Sequence, residues 1–459
     1  VLKPLRELLA PALLGAAVAC TFSYDTAVLR HELMPPAAGF GVNSLNVEER
    51  LKRGYIPEVI AFLTSSAGRS IDAEKSARLL SQAKLESGDF AGAEAVVERL
   101  LSRPLRNERR AEAEWVRAQA AYWRGDFGAA ATWAESARAA GRGVPEGWVA
   151  FLRSGKARRP YHGPDPGERF SIRILVTRPR LPRFGVRIND RPAAEMILDS
   201  GASISLVTES VATQLGLEVV EGAITPARGL HEKELTMRLG WARSVALGTV
   251  TLHDVPFGIL PDGTLTFETA GGGSFMPSGV LGAHLMKEFD WRIEFAARRL
   301  QAIRLDGSSR RGGPDQNLFF RRLKPMVRVS FNRQPWSFFL LDSGSEPTMV
   351  TPEGLKANRY SGYEPSAPVT LEGIGKSQVS WSKVSNITLG IGRYMVWFKN
   401  LVVNEGGDAL GDGIVGMSFL APFDVELRFG LMTLSLQRAG DRPTPTPSLF
   451  EGPTPFGPP

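Results

Sequence analysis

Two stretches of this chain repeat the same order of residues, and that duplication limits the possible fold more than any other feature. The first is Met196-Ile197-Leu198-Asp199-Ser200-Gly201-Ala202-Ser203, and the second is Phe339-Leu340-Leu341-Asp342-Ser343-Gly344-Ser345-Glu346. Average composition alone yields one Asp-Ser-Gly triplet in about one chain in ten of this length. Two triplets, each after three apolar residues, are far rarer, and their flanks also recur in order. Upstream lie Gly185-Val186-Arg187-Ile188-Asn189-Asp190-Arg191 and Val327-Arg328-Val329-Ser330-Phe331-Asn332-Arg333. Downstream come Ser205-Leu206-Val207-Thr208 and Thr348-Met349-Val350-Thr351, then Val245-Ala246-Leu247-Gly248 and Ile387-Thr388-Leu389-Gly390. Each copy closes on an apolar-apolar-Gly element, Val280-Leu281-Gly282 or Ile414-Val415-Gly416. Phe170 to Gln437 therefore reads as a tandem duplication of one unit of about 120 to 140 residues, a normal domain size. Its short alternating apolar runs, bounded by turn residues, are all-β patterning.

The preceding segment has another character. Residues 46–155 are rich in Ala, Glu, Arg and Leu with few β-branched runs, which favours helix. Gly88-Asp89-Phe90 and Gly125-Asp126-Phe127 recur within it, each followed by alanines, and Gly54-Tyr55 is a worn third copy. A period near 34 with a glycine-aromatic turn resembles tetratricopeptide repeats. Trp115, Tyr122 and Trp133 are expected to fill the inter-helix core. Residues 156–168, polar with several prolines and glycines, read as a linker. The boundaries are then 1–19 signal, 20–45 tether, 46–155 helical repeats, 156–168 linker, 169–306 first lobe, 317–438 second lobe and 439–459 a Pro-rich disordered tail.

The signal reading rests on Lys3 and Arg6, the apolar run from Leu8 to Val18, and the small residues Ala17-Val18-Ala19 before Cys20. The run is too short to span a bilayer comfortably. It resembles a bacterial lipoprotein signal, which makes Cys20, the sole cysteine, the expected lipid attachment site; plain signal cleavage is the alternative. The implied location is the extracytoplasmic side of a membrane.

Each β unit resembles a retropepsin-type aspartic protease subunit, and the pair in one chain resembles the two-lobed pepsins. The resemblance rests on apolar-apolar-Asp-Ser-Gly-Ala/Ser twice over and on the two apolar-apolar-Gly elements. It implies a multidomain chain: an all-β bilobed aspartic protease fold behind an N-terminal all-α helical-repeat domain. It also implies an aspartic endopeptidase with Asp199 and Asp342 as the catalytic pair. Two carboxylates in close contact cannot both ionise, so they share a proton; one activates water and the other donates to the carbonyl. Ser200 and Ser343 are expected to hydrogen-bond across the lobe interface, as Thr/Ser does in the family. Gly201 and Gly344 let the backbone turn toward the carboxylates. Gly229 with Leu230, and Gly373 with Ile374, are candidate flap tips over the substrate, or else plain hairpin turns. Glu346 stands where the first copy has Ser203, so the halves are unequal.

Other chemistries find less support. With one cysteine there is no intrachain disulfide and no thiolate zinc site, and the five histidines show no ligand spacing. No metal or other cofactor is expected. No Gly-x-Ser-x-Gly elbow occurs, and His231 and His284 read as surface or packing residues. The Gly271 to Gly273 run lacks a P-loop lysine. A net charge of +7 from scattered arginines does not point to nucleic acid. The expected partners are a protein or peptide substrate, a protein on the helical repeats, and a membrane through the anchor. The alternative reading is a non-catalytic peptide-binding scaffold lipoprotein that uses the cleft and the repeats.

Overall fold

The structure, a computed structural model, describes residues 26–30, 42–175, 181–228, 234–268, 274–306, 315–360, 364–365, 369–371, 377–379, 381–405 and 411–438. An N-terminal helical region precedes two closed β-barrels. Its helices are α1 (Val47–Lys52), α2 (Ile56–Thr64), α3 (Ala73–Glu86), α4 (Phe90–Leu101), α5 (Asn107–Trp123), α6 (Phe127–Ala139) and α7 (Glu146–Ser154). The Gly-Asp-Phe motif makes two of the turns by the same local chemistry. Gly88 and Gly125 sit at φ of +84° and +81°, the left-handed conformation that ends a helix cheaply only at glycine. Asp89 and Asp126 then cap α4 and α6, accepting from the Gly92 and Ala129 N–H groups at 2.8 and 2.9 Å. Phe90 and Phe127 turn inward and are buried. Gly54 has the same backbone form, but Tyr55 replaces the aspartate and α2 has no side-chain cap.

In the first lobe, Arg183–Ile188 alternates buried Phe184, Val186 and Ile188 with exposed Gly185 and Arg187, the period-two signature of a strand with one face in a core. It pairs with Ala194–Leu198 on one side and Glu234–Leu247 on the other, which closes the sheet on itself. Gly279–Leu281 lies between Ala194–Leu198, to which it is parallel, and Ser205–Thr208, to which it is antiparallel. The second lobe repeats the device: Gly413–Val415 runs parallel to Gln334–Leu341 and antiparallel to Met349–Val350. Each aspartate thus follows a strand buried in the middle of its barrel. A five-stranded sheet joins the lobes, with Phe289–Glu294 paired to Asp424–Arg428 across the boundary.

Several expectations are revised by the packing. Thr26–Arg30, in the segment read as a tether, is a strand paired antiparallel along Tyr394–Asn404. The presumed linker is docked on the first lobe: Tyr161 is buried, its N–H donates to the His253 carbonyl, and its hydroxyl meets His284 Nδ1 at 2.7 Å. Only Tyr122 of the three aromatics assigned to the inter-helix core is fully buried, and it stacks on His284 with ring centres 4.2 Å apart. Trp115 and Trp133 are partly buried, beneath Arg142 and Arg117 respectively. The helical region is fastened to both lobes. Trp241 Nε1 of the first donates to Ser154 Oγ of α7 at 2.9 Å. Arg321 of the second donates to the Leu51 and Lys52 carbonyls and to Glu86, and Arg328 pairs with Glu58. No helix among the described residues is long and apolar enough to cross a membrane.

Candidate active site

The duplicated strands bring their two Asp-Ser-Gly loops into contact at the lobe boundary, where Asp199 and Asp342 are completely buried. Each loop is held from behind by the apolar-apolar-Gly element of its own lobe: the Asp199 N–H donates to Leu281 O and the Asp342 N–H to Val415 O, both at 3.0 Å. Gly282 and Gly416 pass close enough to Ile204 and Pro347 that a Cβ would lie within 2.5 Å of their backbones.

Between the loops the contacts are reciprocal. Ser200 Oγ accepts from the Ser343 N–H at 3.0 Å and donates to Leu341 O at 2.8 Å. Ser343 Oγ accepts from the Ser200 N–H at 3.0 Å and donates to Leu198 O at 2.7 Å. A buried hydroxyl that both donates and accepts satisfies two backbone groups that would otherwise be orphaned. Gly201 and Gly344 complete the exchange. A Cβ on Gly201 would lie 2.4 Å from Asp342 Cγ, and one on Gly344 would lie 2.3 Å from Asp199 Cγ. Each glycine is therefore required by the opposite carboxyl group.

The carboxyl groups are fixed on one side and free on the other. Asp199 Oδ1 accepts from the Gly201 and Ala202 N–H groups at 2.9 and 3.1 Å, and Asp342 Oδ1 from the Gly344 N–H at 3.0 Å. Neither Oδ2 accepts from any N–H or O–H of the described residues. Burial raises both carboxyls above the usual range. Asp342 stands at about 6, and Asp199 is pushed up further by the Asp342 charge beside it. A proton on either is hydrogen-bonded by the other. The two titrate as a pair and hold one proton between them over a range of pH in which a free aspartate holds none.

One group near the pair has no counterpart in the reading of the sequence. Lys324 is buried, and its amine is drawn down to about 8 by that burial while both aspartates oppose the change. Its signal in the sequence was a lysine at the edge of an apolar strand, which reads as a strand end. The flap candidates Gly229, Leu230, Gly373 and Ile374 lie outside the described residues, as do Cys20, His231 and the Gly271 to Gly273 run. His284 is a buried packing residue that joins Tyr161 to the Tyr122 carbonyl. Glu346 is half-buried, its carbonyl accepting from the Ser418 N–H. Among the described residues no group of three or more His, Cys, Asp or Glu side chains is placed to hold a metal.

A pocket of about 710 Å³, its open mouth included, adjoins the first loop; its wall includes Ser203, Ile204, Thr225, Leu323, Trp115 and Trp148. It is a joint product of the first lobe, the second lobe and the helical region. Ser203 Oγ is buried there without a partner among the described residues.

The aspartyl protease family model matches residues 184–285, the part of the first lobe that carries Asp199. Solved structures similar to the chain include two aspartic proteases. An aspartic proteinase from Irpex lacteus is 11% identical, covering 59% of this chain and 97% of its own, with a TM-score of 0.36. A retropepsin-like aspartic protease from Rickettsia conorii is 17% identical, covering 31% and 95%, with a TM-score of 0.21. No curated relative matches the chain. The family match falls on the first lobe, within a bilobed all-β fold that stands behind a helical region.

Proposed function

We propose that this chain is an aspartic endopeptidase in which Asp199 and Asp342 form one active site across the lobe boundary. The observation that carries the reading is the reciprocal lock: each Asp-Ser-Gly loop supplies the hydroxyl, the carbonyl and the glycine clearance that the other needs. So much structure spent on holding two carboxyl groups in contact has a use only if their shared proton has one, since like charges in a dry site repel.

The chemistry follows from the pair's charge. With one proton between them, the ionised carboxylate takes a proton from a water whose oxygen attacks the peptide carbonyl carbon. The protonated carboxyl gives its proton to the carbonyl oxygen as it gains charge. Reversal of these transfers delivers a proton to the amide nitrogen as the carbon–nitrogen bond breaks. The free Oδ2 atoms are the ones available for this exchange. The pocket at Trp115 and Trp148, beside Ser203 and Ile204, is the candidate seat for an apolar side chain of the substrate, and Ser203 Oγ offers a hydrogen bond to the peptide backbone.

The test is cleavage of a mixed peptide library from pH 3 to 8 by wild type, Asp199→Asn and Asp342→Asn. Internal cuts by wild type and loss of at least about a thousandfold in both variants is the expected result, because each carboxyl supplies one of two coupled proton transfers. Full activity in either variant would overturn the single-site reading.

A further inference from the structure

Around the Asp-Ser-Gly loops the lobes correspond at an offset of 143 residues, the separation of the two reciprocal serines. That offset sets Leu181 against Lys324. In the first lobe Arg183 lies opposite Ile197, and the Leu198 N–H donates to Pro182 O at 3.0 Å. Carried two residues on, this register puts Leu181 opposite Asp199. In the second lobe Met326 lies opposite Leu340, and the same continuation puts Lys324 opposite Asp342. Residues facing each other across antiparallel strands have Cβ atoms about 4.5–5.5 Å apart. One aspartate therefore has an apolar neighbour across the strand, and the other has a cation.

The position of Lys324 is set by a tight turn. Arg321 and Lys324 pair across it, and Arg322 and Leu323 between them both have positive φ, 47° and 66°. Arg321 points away from the site, to Glu86 and the carbonyls of Leu51 and Lys52. Arg322 lies at the wall of the pocket beside Trp115 and Trp148. Lys324 is only 3% exposed, and among the described residues its ammonium makes no hydrogen bond or ion pair; the charges that act on it are those of Asp342 and Asp199. An ammonium is not buried in this way without an anion to compensate it.

We propose that Lys324 is the counter-charge of the aspartate pair, a positioning residue that acts through Asp199 and Asp342 and sets the acid limit of activity. The proposal rests on the reading of those two as one site. A singly protonated pair carries one negative charge, and Lys324 brings the cluster to neutrality. Without it, burial favours a second proton on the pair, and the doubly protonated form has no base to activate water. Burial holds the Lys324 amine at about 8, so it is charged throughout the acidic and neutral range.

The test follows the carboxyl groups directly. The full chain labelled with ¹³C at the aspartate carboxyl carbons is titrated by NMR as wild type, Lys324→Met and Lys324→Arg, with Asp199→Asn and Asp342→Asn to assign the signals. Loss of a neighbouring cation is expected to raise both pKa values of the pair by about 1–3 units. The acid limb of kcat/KM moves up equally, while arginine keeps both lower than methionine does. A residue that only packs would change stability and leave these pKa values in place; unchanged values in a folded Lys324→Met protein overturn the proposal. A shift of the carboxyl signals in a protein that cleaves nothing would sustain the charge assignment and count against the peptidase instead. A second measurement needs no change at Lys324. In ¹⁵N-lysine spectra its amine should titrate lower in Asp342→Asn than in wild type, and equal values overturn the proposal.

Discussion

Replacing Gly344 by alanine places a methyl group where the Asp199 carboxyl already is. The added Cβ lies 2.3 Å from Asp199 Cγ, and 2.5 and 2.7 Å from its two oxygens. Ordinary contact for such an atom begins at 3.4 Å. The carboxyl cannot swing aside, because Oδ1 is held by two backbone N–H groups and the loop behind it by Leu281 O. Relief requires the two loops to separate by about 1 Å, a displacement that typically costs about a hundredfold when reacting groups must meet. The Ser200 and Ser343 hydrogen bonds resist that separation, so part of the strain remains as about 1–3 kcal/mol of lost stability. The assay is kcat and KM on one cleaved peptide, with urea unfolding beside it. Gly185→Ala serves as control: Gly185 is exposed in its strand, the nearest atom to an added Cβ is 3.7 Å away, and a change within about 0.5 kcal/mol is expected. A folded Gly344→Ala protein with kcat within a few-fold of wild type would refute the reciprocal arrangement as the basis of activity.

Two other outcomes follow. Asp342 titrates at about 6 in the folded protein against 3.8 in the unfolded chain. The native state then holds the proton more tightly, unfolding releases it between those pH values, and this group's stabilisation is present below 3.8 and lost as pH rises through 6. Urea unfolding should show Asp342→Asn with a flatter profile than wild type over that interval; parallel profiles would contradict it. Arg321→Ala removes the cation that pairs with the buried Glu86 carboxylate, leaving it the Gln82 amide alone, and takes one donor from each of the Leu51 and Lys52 carbonyls; it should cost about 1–3 kcal/mol. Adding Glu86→Gln should recover part of that loss, and no recovery would assign the effect to packing.

The aspartates were legible because duplication turns a weak triplet into a pattern: the same strand, loop and closing element in the same order. The Gly-Asp-Phe turns were legible for a local reason, since a left-handed stop, an N-cap and a buried aromatic fall on consecutive residues. What escaped were contacts made between distant segments. Tyr161 sits among prolines and glycines, and one aromatic does not outweigh the polar composition around it; its contacts with His253 and His284, distant in sequence, are what dock the segment. Thr26–Arg30 carries no alternating pattern because an edge strand is held by its backbone ladder along Tyr394–Asn404. Trp115 lies on a helix and reads as filling between helices, but its surroundings are completed by the first lobe and by the Arg322–Leu323 turn of the second.

Lys324 shows where symmetry itself becomes informative. Duplication gives the strands that lead into the two loops the same pairing, with Arg183 opposite Ile197 and Met326 opposite Leu340. Where the residues still agree, as at Ser200 with Ser343 or Gly201 with Gly344, the shared scaffold requires them. A difference at a matched buried position cannot be required by the scaffold, because the other lobe does without it. Leu181, the residue matched to Lys324, is buried at 1% exposure, so an apolar side chain packs satisfactorily at this position. A charged side chain at the matching place loses hydration that leucine never had, so packing does not account for it. What distinguishes the second position is the pair's one negative charge. A single cation suffices to balance it, and a second at position 181 would leave the cluster with an excess positive charge. One lysine and one leucine is therefore the arrangement that electrostatics asks of a proton-sharing pair built from two copies of the same strand.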